Sequence, residues 1–146
     1  MDVELPALFH DLVRLETELW NRADARLRAE HGLLLSWLEV MRMIDSIPEC
    51  RVIDIADSLF ITVGGASKLV DRIEGAGLAT RNRNPGDGRS NFIELTPAGR
   101  RRLDDGRSTL ADQLDKDLGS AATPAQLQAL AATVVQLRSA LAMTAR

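Results

Sequence analysis

Apolar residues recur every three or four positions along most of this chain, and one stretch abandons that period. In residues 4–30, Leu8, Leu12, Leu15 and Leu19 alternate spacings of four and three, with Phe9, Val13, Trp20, Ala23 and Leu27 beside them. That pattern predicts a long amphipathic helix broken at Gly32. Ser36 with Glu39 reads as a capping box for a second helix, in which Leu35 staples against Val40 and Leu38, Met41 and Ile44 face the core. Pro48 stops it. Val52, Ile53, Ile55, Ala56 and Leu59 predict a short third helix without an evident N-cap, leading into a turn at Phe60-Ile61.

The fourth helix has a chemical cause at each end. Thr62 supplies a hydroxyl for the exposed N–H groups of the first turn, and Gly77 is a left-handed stop. Ala66, Leu69, Val70 and Ile73 share one side, whereas Gly64, Lys68, Asp71 and Gly75 line the other, flanked by Ser67 and Arg72. One face is for the core and the other is free. The period then changes: Leu78 to Arg83 and Phe92 to Thr96 read as two strands joined through Asn84-Pro85-Gly86-Asp87-Gly88. Thr96-Pro97 restarts helix, with Leu103, Leu110, Leu114 and Leu118 carrying it to Gly119. Thr123-Pro124 repeats the device, with Gln126 completing a capping box, and Leu127, Leu130, Val134, Leu137 and Leu141 follow.

The net charge of −3 argues against a polyanionic partner until its distribution is examined. Residues 62–102 hold eight Lys or Arg against four Asp or Glu, so the basic excess coincides with the stretch that runs from the fourth helix through the two strands to Arg102. Sixteen of the eighteen basic residues are arginines, so arginine identity alone carries little information. A single cysteine, Cys50, excludes an internal disulfide, and one cysteine with two histidines makes a structural metal site a poor fit. No glycine-rich phosphate loop and no nucleophile with an evident base partner appears, so no catalytic residue is assigned and the chain does not read as an enzyme. No apolar run is long enough to span a bilayer, and the opening Met1-Asp2-Val3-Glu4 is not a basic-then-apolar leader, so the expectation is a cytoplasmic protein.

Helix, turn, helix and a basic two-stranded wing resemble the winged helix-turn-helix, and specific residues narrow the resemblance to the MarR family of bacterial regulators. They are Leu69-Val70-Asp71-Arg72-Ile73-Glu74, Gly77-Leu78, then Pro85, Asp87 and Arg89, and Leu95-Thr96 with Gly99-Arg100. The order of helices also matches. Two features depart from the family pattern. Gly64-Gly65 stands where Ser, Thr or Pro is usual, and Gly88 stands where a second wing arginine is common.

The resemblance implies a mainly α fold with a small β-wing: a first helix (1–34) contributing to dimerisation, a winged helix-turn-helix (35–96), and C-terminal dimerisation helices (97–146), together one MarR-type domain. It implies a homodimeric transcriptional regulator, by expectation a repressor, on a double-stranded, pseudo-palindromic DNA operator. Thr62, Val63, Gly64, Ser67, Lys68, Arg72, Arg81, Arg83, Asp87 and Arg89 are the expected DNA-binding residues, with Arg89 a candidate for minor-groove insertion. A carboxylate at Asp71 would be repelled by phosphate, so Asp71 is expected to hold a wing arginine such as Arg89, with Asp87 orienting the same residue. No cofactor is expected. The family also suggests a small aromatic or anionic effector, with His10, Trp20, His31, Trp37 and Met41 as pocket candidates and core packing as the competing role for each Trp and Met. The rival to DNA binding is a protein adaptor built on the same fold, against which the basic wing and Lys68 argue.

Overall fold

A computed structural model describes residues 2–84 and 87–145, with side chains outside 83–90. Six helices and one hairpin follow in order: α1 (Leu5–His31), α2 (Leu35–Ser46), α3 (Val52–Leu59), α4 (Val63–Gly75), β1 (Ala79–Asn84), β2 (Asp87–Leu95), α5 (Pro97–Leu114) and α6 (Pro124–Thr144). The chain divides into two compact units, Trp20–Leu110 and Met1–Leu19 with Ala111–Arg146, so the division falls inside α1 and at the last turn of α5. None of the helices among the described residues is long and apolar enough to cross a membrane.

The larger unit contains every buried apolar side chain among the described residues. Leu27 of α1, Leu38 and Met41 of α2, Ile55 of α3, Val70 and Ile73 of α4, Ile93 of β2 and Leu103 of α5 are all excluded from solvent and share one core. These are largely the residues that the helical period marks as inward. The hairpin is antiparallel, pairing Ala79 with Leu95 through Arg83 with Asn91, with a shift of register after Arg83. Its second strand is also tied to the stretch before α3, where the Ile93 N–H donates to the Cys50 carbonyl at 2.7 Å.

Local chemistry explains some helix starts and distant chemistry explains others. Thr62 Oγ1 accepts from the Gly65 N–H at 3.0 Å, Thr96 Oγ1 from Gly99 N–H at 3.0 Å, and Thr123 Oγ1 from Gln126 N–H at 3.3 Å, each as the sequence predicts. The capping box expected at Ser36 is not formed. Asp24 on α1 accepts instead from the Leu35 N–H at 2.9 Å, while Glu39 is taken by Arg42 at 2.8 Å. The missing cap of α3 is Asp54, whose carboxylate accepts from the Arg51 N–H at 2.8 Å, a helix start held from its third residue.

In the smaller unit, α5 gives way to one π-turn at Asp115–Gly119 before α6, where the sequence predicts plain helix to Gly119. The Ser120 N–H reaches back five residues to the Asp115 carbonyl at 3.1 Å, the hydrogen bond that defines such a turn. Ala111, Leu114, Leu118, Leu127, Leu130 and Val134 line an open apolar groove beside it. None of the residues described in 2–19 or 111–145 is buried.

Candidate nucleic-acid interface

The fourth helix is fixed at both ends and bare along one side. At its C-terminus the Leu78 N–H donates to the Ile73 carbonyl and the Gly77 N–H to the Glu74 carbonyl, with Gly77 at φ +76°, the paired closure that a left-handed residue permits. Ala66, Val70 and Ile73 anchor the helix in the core. Lys68, Asp71, Arg72 and Gly64 are exposed, and Ser67 is half-buried beside them. At the N-terminus the Thr62 cap satisfies Gly65, while the first two N–H groups, at Val63 and Gly64, have no partner within the helix. A Cβ on Gly64 would meet nothing within 4 Å, whereas one on Gly65 would come within 3.1 Å of Thr62 Oγ1. Gly65 is thus accounted for by the cap, and Gly64 leaves open space at the helix end.

The wing is locked to this helix by Arg81. Its Nη2 lies 2.8 Å from Asp71 Oδ1 and its Nη1 3.3 Å from Glu74 Oε1. Its backbone N–H donates to Glu74 Oε2 at 2.9 Å, and Nη2 also reaches the Ser67 carbonyl at 3.4 Å. Asp71 therefore holds the wing arginine Arg81, because β1 runs directly alongside α4; its expected pairing with Arg89 falls outside the described side chains. Arg81 is committed to two carboxylates and serves as a brace. Glu74, which sequence reasoning left without a role, contributes two of the four contacts in this brace. The signal available was its place one turn after Asp71, on the same side of the helix.

A second clasp joins the wing to α5. The Thr96 hydroxyl donates to the Gly77 carbonyl at 2.7 Å while accepting from Gly99, and the Thr96 N–H donates to the Leu78 carbonyl at 3.0 Å. A side chain on Gly99 would collide with that same Leu78 carbonyl oxygen. Across the hairpin, Asn82 Nδ2 donates to Glu94 Oε2 at 2.6 Å. The side chains of Arg83, Asp87 and Arg89 lie outside the described residues.

The five pocket candidates fall in different settings. His10 is exposed, with its ring edge-on to Phe9 at 5.6 Å between centroids, and Trp20 is exposed. His31 Nε2 lies 2.7 Å from Thr109 Oγ1, whose hydroxyl reaches Glu30 at 3.4 Å. The Arg26 hydrogen bond first, and the Thr109 contact after it, hold the Glu30 carboxyl below its ordinary range. Trp37 is partly buried, and its Nε1 has no hydrogen-bond partner among the described residues. Met41 is fully enclosed in the core, the packing role that competes with a pocket role for it.

Cys50 is completely buried, and desolvation, with Asp54 nearby, pushes its thiol up to about 11. A thiol so placed is neither exposed nor ionised at neutral pH, the opposite of what a reactive cysteine needs. Among the described residues no group of three or more His, Cys, Asp or Glu is placed to hold a metal ion.

Comparison with known proteins gives this arrangement its context. Residues 31–90 match the model of the MarR family. Among solved structures, the chain is similar to Sco3205, a MarR family transcriptional regulator from Streptomyces coelicolor in complex with DNA, with a TM-score of 0.83 and 22% identity over 97% of this chain and 90% of that one. It is similar to the transcriptional repressor CouR bound to a 23-mer DNA duplex, with a TM-score of 0.80 and 22% identity over 94% and 99% of the two chains. It is also similar to CouR from Rhodococcus jostii RHA1 bound to p-coumaroyl-CoA, with a TM-score of 0.72 and 23% identity over 89% and 85%. No curated protein matches the sequence at a significant level. At these identities the structural likeness establishes the fold.

Proposed function

We propose that this chain, whose residues 31–90 match the MarR family model, is a homodimeric repressor of that family that grips a pseudo-palindromic operator through two copies of α4. The observation that carries the reading is the state of α4. Its inner side is fully engaged in the core, while its exposed side offers Ser67, Lys68 and Arg72 and its N-terminus two free N–H groups. Helix N-termini attract phosphate, and exposed side chains along such a helix meet base edges in the major groove. In this reading Thr62, Val63 and Gly64 approach the backbone, and Ser67, Lys68 and Arg72 face the groove. Asp71, left alone, would repel phosphate; its pairing with Arg81 removes that obstacle and fixes the wing that carries Arg83 and Arg89.

The dimer rests on the smaller unit. Leu8, Leu12, Val13 and Leu15 of α1 and Leu130, Val134, Leu137 and Leu141 of α6 are all exposed in the single chain. Burying one such Leu is worth roughly 1.5–3 kcal/mol, so a shared seam of several outweighs the entropy lost on association. A small aromatic or anionic effector is part of the proposal, supported by the CouR structure that holds p-coumaroyl-CoA. It acts by preferring one spacing of the two reading helices over another.

The test is binding to duplex DNA from upstream of the protein's own coding sequence, at two salt concentrations, beside Lys68→Ala. Salt-sensitive binding to a discrete two-fold site, weakened in the variant, is the expected result. Binding that ignores sequence and salt, with Lys68→Ala equal to the parent, would point to the adaptor reading.

A further inference from the structure

The turn between α3 and α4 contains a side chain that the fold does not use. Phe60 is 92% exposed, the most exposed large apolar residue described, and its backbone is left-handed at φ 55° and ψ 41°. A residue bearing a Cβ is disfavoured in that conformation, and a bulky one more so, which is why Gly or Asn usually occupies it. The turn itself is closed by backbone alone: the N–H groups of Phe60 and Ile61 both donate to the Ala56 carbonyl. A smaller residue would close it with less strain. The aromatic ring therefore brings the chain a conformational cost and no burial.

Its position suggests a use. Phe60 stands two residues before the Thr62 cap, so it flanks the end of α4 at which the Val63 and Gly64 N–H groups are free. Ile61 and Val63 are also exposed, at 38% and 50%, and extend the apolar surface from the turn onto the helix. Lys68, one turn and a half along, is the nearest exposed cation in sequence. An apolar edge beside free backbone donors and a cation matches a duplex, where thymine methyls and deoxyribose carbons lie beside phosphates. Other apolar partners would not use the donors.

Resting on the operator-binding reading above, we infer that Phe60 is a DNA-contacting side chain, its ring packing against the apolar edge of each half-site, on thymine methyl groups or deoxyribose. Such a contact is independent of counterion release, so it adds affinity without adding salt dependence.

The experiment measures operator binding by the full-length protein and by Phe60→Ala and Phe60→Asn across a salt series, with thermal unfolding as the folding control. Both variants should unfold at the parent temperature or above it, since nothing buried is lost and the left-handed strain is eased. Affinity should fall about tenfold, with the slope of log affinity against log salt unchanged. Replacing half-site thymines by deoxyuridine then separates the two sources. Loss in the parent but not in Phe60→Ala identifies the methyl groups, and equal loss in both identifies the sugar. Variants that bind within twofold of a tightly binding parent would overturn the inference, as would a shallower salt slope. A parent that binds no operator would instead overturn the reading on which it rests.

Discussion

Arg81 Nη2 sits 2.8 Å from Asp71 Oδ1, so an exposed carboxylate on the outer side of α4 is matched by a guanidinium from the adjoining strand. The pair is lopsided. Asp71 is largely in solvent, whereas Arg81 retains only 21% of its side-chain exposure and is bonded twice more to Glu74. Glu74 therefore holds both the backbone and the guanidinium of Arg81, whereas Asp71 meets the guanidinium alone.

That asymmetry sets an order of costs. Asp71→Asn removes a solvent-screened ion pair and should cost at most about 1 kcal/mol of folding stability. Glu74→Ala strips partners from both the Arg81 backbone and its guanidinium and should cost about 1–3 kcal/mol. Urea unfolding of the two variants checks the ranking, and the reverse order would show that Asp71 is the principal anchor.

Two glycines predict opposite signs. At Gly99 a methyl group would strike the Leu78 carbonyl oxygen, which is itself bonded to the Thr96 N–H, so relief would require breaking the clasp between wing and α5. Gly99→Ala should lose about 3 kcal/mol. Gly64 has open space and helical backbone, so Gly64→Ala should gain up to about 1 kcal/mol of stability. If α4 approaches DNA end-on, the same Gly64→Ala protein should bind its operator more weakly despite being more stable. A stabilised variant with unaltered binding would remove Gly64 from the interface.

What could be read from the sequence was what a few adjacent residues decide. Thr62, Thr96 and Thr123 cap the helices they precede, and Gly77 stops α4, because those hydrogen bonds close within three to five residues. The inward residues of α4 followed from period alone. The cap of α2 was not legible, since Asp24 supplies it from eleven residues away and the nearby Ser36–Glu39 pair offers a plausible decoy. Arg81 read as a free cation because its partners become neighbours only when β1 lies along α4. Phe60 gave no signal, since nothing in a phenylalanine's sequence context announces a left-handed backbone.

The environment of Cys50 makes a prediction in pH. Its folded pKa is raised to about 11, so the fold favours the neutral thiol. Below the ordinary thiol range both states keep the proton and the group adds no slope; as pH rises toward 11 only the unfolded chain loses it, and stability falls. The difference between the parent and Cys50→Ala should therefore narrow or change sign across that range in chemical denaturation. Near neutral pH a thiol reagent should label the native protein only as fast as it opens, and operator binding should survive mild peroxide. Rapid labelling of the native protein would mean that Cys50 is reached without unfolding.

The smaller unit predicts a dependence on concentration. Residues described in 2–19 and 111–145 include none that is buried, yet Leu5, Phe9, Val135, Leu137 and Leu141 each leave more than half of their surface in water. Surface of that kind is stable only when covered, and the proposed second copy of the chain is a partner able to cover it symmetrically. If association supplies the missing burial, folding and dimerisation are one equilibrium, and the thermal midpoint must rise with protein concentration. Over about a hundredfold range the shift should be several degrees for a chain of this size. Replacing Leu137 and Leu141 together by Lys should lower the midpoint and flatten its concentration dependence, with sedimentation reporting monomer. A parent whose midpoint is constant and which sediments as a folded monomer would refute the dimer, and with it the two-fold grip on an operator.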